Sequence, residues 1–82
     1  MHDVVYVCTY REGEFGGERF FWLDARLGPL LQEIGKIIRR NYPGAEVYIK
    51  KLSTLEFEIQ VTHDTEENER VTKYFKITKE FV

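Results

Sequence analysis

Few side chains in this sequence have a type and spacing that point to catalysis. His63 and Asp64 are adjacent and could act as an acid–base pair. They open a hydrophilic stretch, however, and no recognisable motif puts a Ser or Cys nucleophile beside them. A solvated turn is therefore the favoured interpretation of this pair.

Acidic residues crowd the same stretch and could bind a hard cation. The residues are Asp64, Glu66, Glu67 and Glu69. Their spacing is not that of an EF-hand loop, so we predict a charged loop and no metal site.

Two further features resemble parts of enzyme sites only superficially. Cys8 lies in an apolar run without a neighbouring basic residue, which favours an inert buried thiol over a nucleophile. Gly13, Gly16 and Gly17 lack the Lys and the following helix of a phosphate-binding loop. We therefore expect no enzyme, no catalytic residue and no cofactor.

The sequence does contain two features that suit a binding module. Phe15 lies in the Gly-rich loop, where no core pattern includes it, so it is either an exposed aromatic anchor or a side chain that folds back to cap a hairpin. A basic set, defined as Arg39, Arg40, Lys50 and Lys51, could cluster where the helix ends and the third strand runs. The helix dipole alone favours cations at that end, but the set could also meet an acidic partner or RNA phosphates.

One helix must position these features. Apolar residues recur at three- and four-residue spacing from Leu27 to Tyr42, which predicts one buried helical stripe. Asp24 is the predicted N-cap, and Trp22 and Leu23 are candidates to staple the start of the helix. Pro29 is favoured at a first helical position, so we expect a tight turn before it and regular helix after it. Pro43 ends the helix.

The other apolar runs predict strands. Residues 4–10 and 19–23 form a predicted hairpin, and residues 45–50 form a third strand with Val47 and Ile49 inward. Residues 55–61 alternate between apolar and polar side chains, which indicates a strand with one dry and one wet face. A fifth strand includes Val71, Phe75 and Ile77 and ends before Phe81.

The resulting order is ββαβββ in a single domain of residues 1–82. We predict an α+β fold in which one helix covers one face of a mostly antiparallel sheet. The chain has 82 residues and a net charge of −2, which is too small to imply a nucleic-acid or membrane partner by itself. A single Cys, no signal-peptide pattern and no long apolar run lead us to expect an intracellular, soluble protein.

A longer motif resembles a known family. Trp22-Leu-Asp24-Ala25-Arg-Leu27-x-x-Leu30, closed by Tyr42-Pro43-x-Ala45, is similar to the signature of the Sin-three-associated polypeptide family. The members of this family are small subunits of histone-deacetylase and splicing-linked complexes. The resemblance covers about half of the chain. It implies a ubiquitin-like β-grasp fold, in which Trp22, Asp24, Ala25, Leu27, Tyr42 and Pro43 are structural, and a nuclear location.

The leading hypothesis is thus a non-enzymatic adaptor that recruits protein partners in a transcription-repression or RNA-processing complex. Recognition would use an exposed sheet edge or the Phe15 loop, and an open edge would also allow a homodimer. The first alternative is a small viral or phage inhibitor that blocks a host protein with its acidic loop. The second is an RNA-binding module that uses the basic set.

Overall fold

Five strands and one helix make up the structure, a computed structural model that describes residues 3–13 and 15–82. In chain order they are β1 (Val4–Glu12), β2 (Arg19–Asp24), α1 (Leu27–Asn41), β3 (Glu46–Lys51), β4 (Glu56–Asp64) and β5 (Arg70–Phe81). The strands form one sheet in the order β2-β1-β5-β4-β3. Each neighbouring pair is antiparallel. The predicted ββαβββ order and β-grasp-like α+β fold, with one helix packed on the sheet, are confirmed.

The core lies between α1 and one side of the sheet, which we call the helix face; the other side is the open face. The buried apolar side chains are Cys8, Leu30, Ile34, Ile38, Ile59, Val61, Phe75 and Ile77. Leu30, Ile34 and Ile38 recur at four-residue spacing and therefore lie along one side of α1. These three residues belong to the stripe predicted for the helix, but Leu31 of the same stripe is 38% exposed.

The start of α1 differs from the prediction. The helix begins at Leu27, and its N-cap is Arg26 instead of Asp24. Pro29 is thus the third helical residue, not the first. This position is compatible with proline because the amides of the first helical turn have no intrahelical acceptor. The Asp24 carboxylate accepts a hydrogen bond from the Arg26 amide at 2.9 Å, so it holds the turn that precedes the helix.

The last two strands extend into residues that the sequence analysis placed outside strands. β4 includes His63 and Asp64, which the sequence analysis assigned to a solvated turn, and the following loop is correspondingly shorter. β5 runs to Phe81, whereas the prediction ended it earlier. The extension follows from pairing, since Val4 and Phe81 are partners in the β1–β5 ladder.

The edge strand β3 is more exposed than predicted. Val47 and Ile49 belong to the helix face, because they pair with the buried Val61 and Ile59 of β4. Yet their residues are 51% and 61% exposed, so they lie on the predicted side of the sheet without being buried in the core. A helix is about 10–12 Å across, whereas five strands about 4.8 Å apart span roughly twice that width. α1 therefore leaves this edge uncovered.

Among the described residues, the open face has one buried charge, which lies on β4. Glu58 is 9% exposed, and its carboxylate accepts a hydrogen bond from Gln60 at 2.9 Å. The Arg11 guanidinium lies 3.5 Å from the other carboxylate oxygen and 4.4 Å from the centre of the Tyr74 ring. These contacts compensate Glu58 for its lost hydration.

Candidate functional site

The largest exposed apolar side chains near one edge of the sheet belong to the β1–β2 hairpin. We define the β2-edge patch as Phe15, Phe20, Trp22 and Leu23. Phe15 is 97% exposed and Phe20 is 64% exposed, and the other two are about half exposed. Several exposed aromatic groups on one hairpin are typical of protein-interaction surfaces.

The members of the patch lie on both sides of β2. Phe20 pairs with Thr9 and Leu23 pairs with Val7, so both belong to the open face. Trp22 pairs with Cys8, whose side chain is in the core, and therefore belongs to the helix face. The patch consequently wraps around the outer edge of the sheet.

A bulge decides which aromatic of β2 enters the core. The β1–β2 register shifts between Cys8 and Thr9, and Phe21 is the extra residue on β2. Phe21 packs against Phe75 edge to face, with ring centroids 5.3 Å apart. Trp22 was predicted to join sheet and helix, but its residue is 51% exposed. Phe21 occupies that place, because a bulge re-aims the neighbouring side chains.

Of the two conformations considered for Phe15, the structure has the exposed one. A side chain folded over the hairpin would lose much of its contact with solvent, and this one is almost fully exposed. The binding role of Phe15 stays a prediction.

The structure does not bring the four residues of the basic set together. Arg39 and Arg40 are in the last turn of α1. Lys51 pairs with Phe57, which lines an apolar cleft with Leu27 and Leu31 at the other end of the helix. The 15-residue helix is about 22 Å long. The prediction of one basic cluster is therefore wrong, because it did not include the direction in which α1 crosses the sheet.

The remaining residues of the family-like motif differ in their surroundings. Leu27 and Tyr42 are partly buried and pack against the core. Ala25 and Pro43 are exposed. The carboxylate of Asp24 accepts the hydrogen bond that holds the turn before α1. The motif therefore contributes to the connections at both ends of α1, with Leu27 at one end and Tyr42 at the other.

A group of titratable side chains, which the sequence analysis did not predict, surrounds Tyr42. Its ring stacks on His63 with centroids 4.6 Å apart, and the Lys73 ammonium lies 4.8 Å from the ring centre. Tyr10 donates a hydrogen bond to Glu12 at 3.0 Å, and Lys73 lies 3.7 Å from the same carboxylate. Burial raises the pKa of Tyr10, and hydrogen bonds with Tyr42 and Glu12 raise it further. These residues come from three strands and the C-cap of α1, so only the fold could reveal the group.

The remaining candidates for chemistry are placed as follows. Cys8 is fully buried, and burial raises the pKa of its thiol to about 12. Glu66, Glu67 and Glu69 are exposed in the β4–β5 loop. Within residues 3–13 and 15–82, no three His, Cys, Asp or Glu side chains are grouped so that they could hold a metal ion. Over the same residues, no helix has the length and apolar character needed to cross a membrane.

Comparisons of the chain with protein-family models, with curated proteins and with solved structures gave no match.

Proposed function

We propose that this chain is a non-enzymatic adaptor that binds protein partners through the β2-edge patch. The single observation that carries the proposal is the exposure of Phe15, Phe20, Trp22 and Leu23 within one hairpin. Large aromatic side chains contribute much of the binding energy at protein interfaces when a partner removes them from water.

Side-chain anchoring is the favoured mode of recognition. Strand addition needs a regular row of free amides and carbonyls, and the bulge at Phe21 interrupts that row on β2. Phe15 and Phe20 instead offer two rings to apolar pockets or grooves of a partner. We therefore propose a protein partner with an apolar concave surface.

The resemblance of the Trp22–Leu30 and Tyr42–Ala45 segments to the Sin-three-associated polypeptide family supports a more specific proposal. According to this more specific proposal, the adaptor belongs to a transcription-repression or RNA-processing complex in the nucleus.

Affinity capture with matched variants tests the adaptor function. The immobilised domain and a Phe15→Ser/Phe20→Ser variant are exposed to a nuclear extract, and the captured proteins are quantified by mass spectrometry. Phe81→Ser serves as the control, because Phe81 is also an exposed aromatic but lies on β5. We expect specific proteins with wild type and the control, at least about tenfold depleted with the double variant, as for the loss of two binding hot spots. Equal capture by all three, or no specific capture by the folded wild type, contradicts the proposal.

A second candidate function is that of an inhibitor that binds a host protein through the acidic loop. The exposed Glu66, Glu67 and Glu69 favour it, since none of them forms an ion pair within the described parts of the chain. Changing the three residues to Lys should abolish inhibition under this hypothesis, whereas the adaptor proposal predicts unchanged capture.

RNA binding is the third candidate and has the least support, because the basic set is divided between the two ends of α1. It predicts an affinity that falls steeply as salt is raised, and a flat response rejects it.

A further inference from the structure

The outer edge of β3 is the one regular strand edge that the described chain leaves open. β3 forms one end of the sheet, opposite the bulged β2. Its six residues pair with β4 without a register shift. A straight edge without a bulge is able to pair with a further strand, which is why natural proteins usually protect such edges.

The hydrogen-bond pattern shows which backbone groups of β3 are free. Leu52 donates to the Glu56 carbonyl at 3.0 Å, in the same register that pairs Lys50 with Glu58. Hydrogen-bonded and non-hydrogen-bonded pairs alternate in an antiparallel ladder. Tyr48 and Lys50 therefore direct their amides and carbonyls to β4, whereas Val47 and Ile49 direct theirs outward from the sheet.

We propose that a second copy of this chain pairs with this edge, β3 against β3, around a two-fold axis at Tyr48. The two sheets then form one continuous ten-stranded antiparallel sheet with both helices on the same side. The β2-edge patch stays free at the two outer ends, so the pairing is independent of partner capture by that patch.

The sequence of β3 is complementary to itself in this register. Glu46 lies opposite Lys50 of the other copy, and Val47 lies opposite Ile49 of the other copy, each twice by symmetry. The two Tyr48 rings meet at the axis. Opposite charges and apolar residues facing each other are the cross-strand pairs that stabilise a sheet.

Other two-fold registers are less favourable. An axis at Lys50 sets two lysines against each other. An axis at Ile49 sets Lys50 against Tyr48 and Leu52 against Glu46, so that Glu46 keeps only its ion pair with Arg70 of the same chain. An axis at Val47 carries both lysines beyond the paired segment. The charge pattern therefore selects the axis at Tyr48.

The exposed apolar groups around β3 agree with a copy at this edge. Val47 and Ile49 are more than half exposed, as described above, and Ile49 lines the apolar cleft with Leu31 and Phe57. Pairing places Val47 of the second copy opposite Ile49, at the margin of this cleft. The interface then has an apolar helix-face side and a charged open-face side.

A charge-swap experiment tests the pairing. The mass of the chain in solution is measured by light scattering after size-exclusion chromatography, as a function of concentration. The variants are Glu46→Lys, Lys50→Glu and the double change. Lys50→Glu is the cleaner single change, because Glu46→Lys also removes the ion pair that Glu46 forms with Arg70 of its own chain at 2.6 Å. We expect wild type to reach twice its 9.8 kDa. Each single variant should raise the dimer dissociation constant about tenfold or more, since two attractive pairs become two repulsive ones, and the double variant should restore dimerisation.

A backbone variant covers the case in which a charge change disturbs the fold. Val47→Pro removes an outward amide and leaves the β3–β4 hydrogen bonds in place, which an edge strand tolerates. We expect a folded monomer. A wild-type chain that is monomeric at all concentrations overturns the proposal. A dimer that persists in Val47→Pro and in both single charge variants overturns it as well.

Discussion

The ring of Tyr42 stacks on the imidazole of His63, with centroids 4.6 Å apart and planes inclined by 29°. This contact joins the end of α1 to the end of β4, two segments that are separated in sequence by β3. The side chain of Tyr42 therefore packs the C-terminal end of the helix against the sheet.

Removing this aromatic contact should destabilise the fold. We expect Tyr42→Leu to lower the free energy of unfolding by about 1 kcal/mol, since an aromatic pair adds roughly that much beyond its buried area. The loss of the Lys73 contact adds to the effect. Urea denaturation followed by circular dichroism measures the change. Phe15→Leu, on an exposed ring, is the control and should have little effect.

The buried carboxylate of Glu58 should depend on Arg11. Arg11→Met takes away the nearest cation, and a charged group that loses a buried partner costs about 1–3 kcal/mol of stability. Chemical denaturation of this variant is compared with that of Lys36→Met, which breaks the exposed pair between Lys36 and Glu33. Equal stability of the two variants would show that the Arg11 contact contributes nothing beyond a surface pair.

Two glycines should respond to alanine in opposite directions. Gly35 is inside α1, where a Cβ would meet only the flexible guanidinium of Arg39, at 3.3 Å. We expect Gly35→Ala to raise the free energy of unfolding by about 0.5–1 kcal/mol. Gly44 has a φ of +78°, which alanine adopts at a cost, so Gly44→Ala should lower it. Thermal unfolding of both variants at one protein concentration checks the two signs.

Stability should fall in alkaline solution because of Cys8. The pKa of its thiol is raised from 9.0 to about 12 by burial, so between these pH values the unfolded chain loses the proton while the folded chain retains it. The free energy of unfolding should therefore decrease as pH rises from 9, by at most about 1.4 kcal/mol per pH unit for this group.

Urea denaturation at several pH values, with wild type and Cys8→Ala, isolates the contribution of the thiol. The free energy of unfolding of Cys8→Ala should depend less on pH between pH 9 and 12 than that of wild type. The pH dependence that remains in the variant should include the contribution of Tyr10, whose pKa is also raised. Identical pH profiles of wild type and variant would contradict the assignment to Cys8. A thiol-specific reagent should also label wild type only after unfolding.

Periodicity was sufficient to predict the main elements. The apolar stripe of α1 and the alternation in β4 were predicted from the sequence, because each pattern depends on neighbours within one element. The order of the strands was not predictable in the same way, since the pairing of β5 with β1 joins residues far apart in the chain.

Each error has a specific physical cause. One extra residue at Phe21 changed which aromatic enters the core, and a bulge has no reliable sequence signal. Val47 and Ile49 have the spacing of inward residues, but their exposure depends on the width that one helix covers. The separation of the basic set could not be predicted, because it depends on the direction in which α1 crosses the sheet. The exposure of Phe15 was one of two predicted outcomes, because a Gly-rich loop allows both.

The position of β5 has a consequence for the order of folding. β5 follows the other four strands in sequence, yet it lies between β1 and β4 and is the strand that joins the two halves of the sheet. The β1–β2 and β3–β4 hairpins can each pair locally, whereas the sheet becomes continuous only when β5 has inserted between them. A substitution that weakens β5 should therefore leave two hairpins with unpaired strand edges, which favour aggregation.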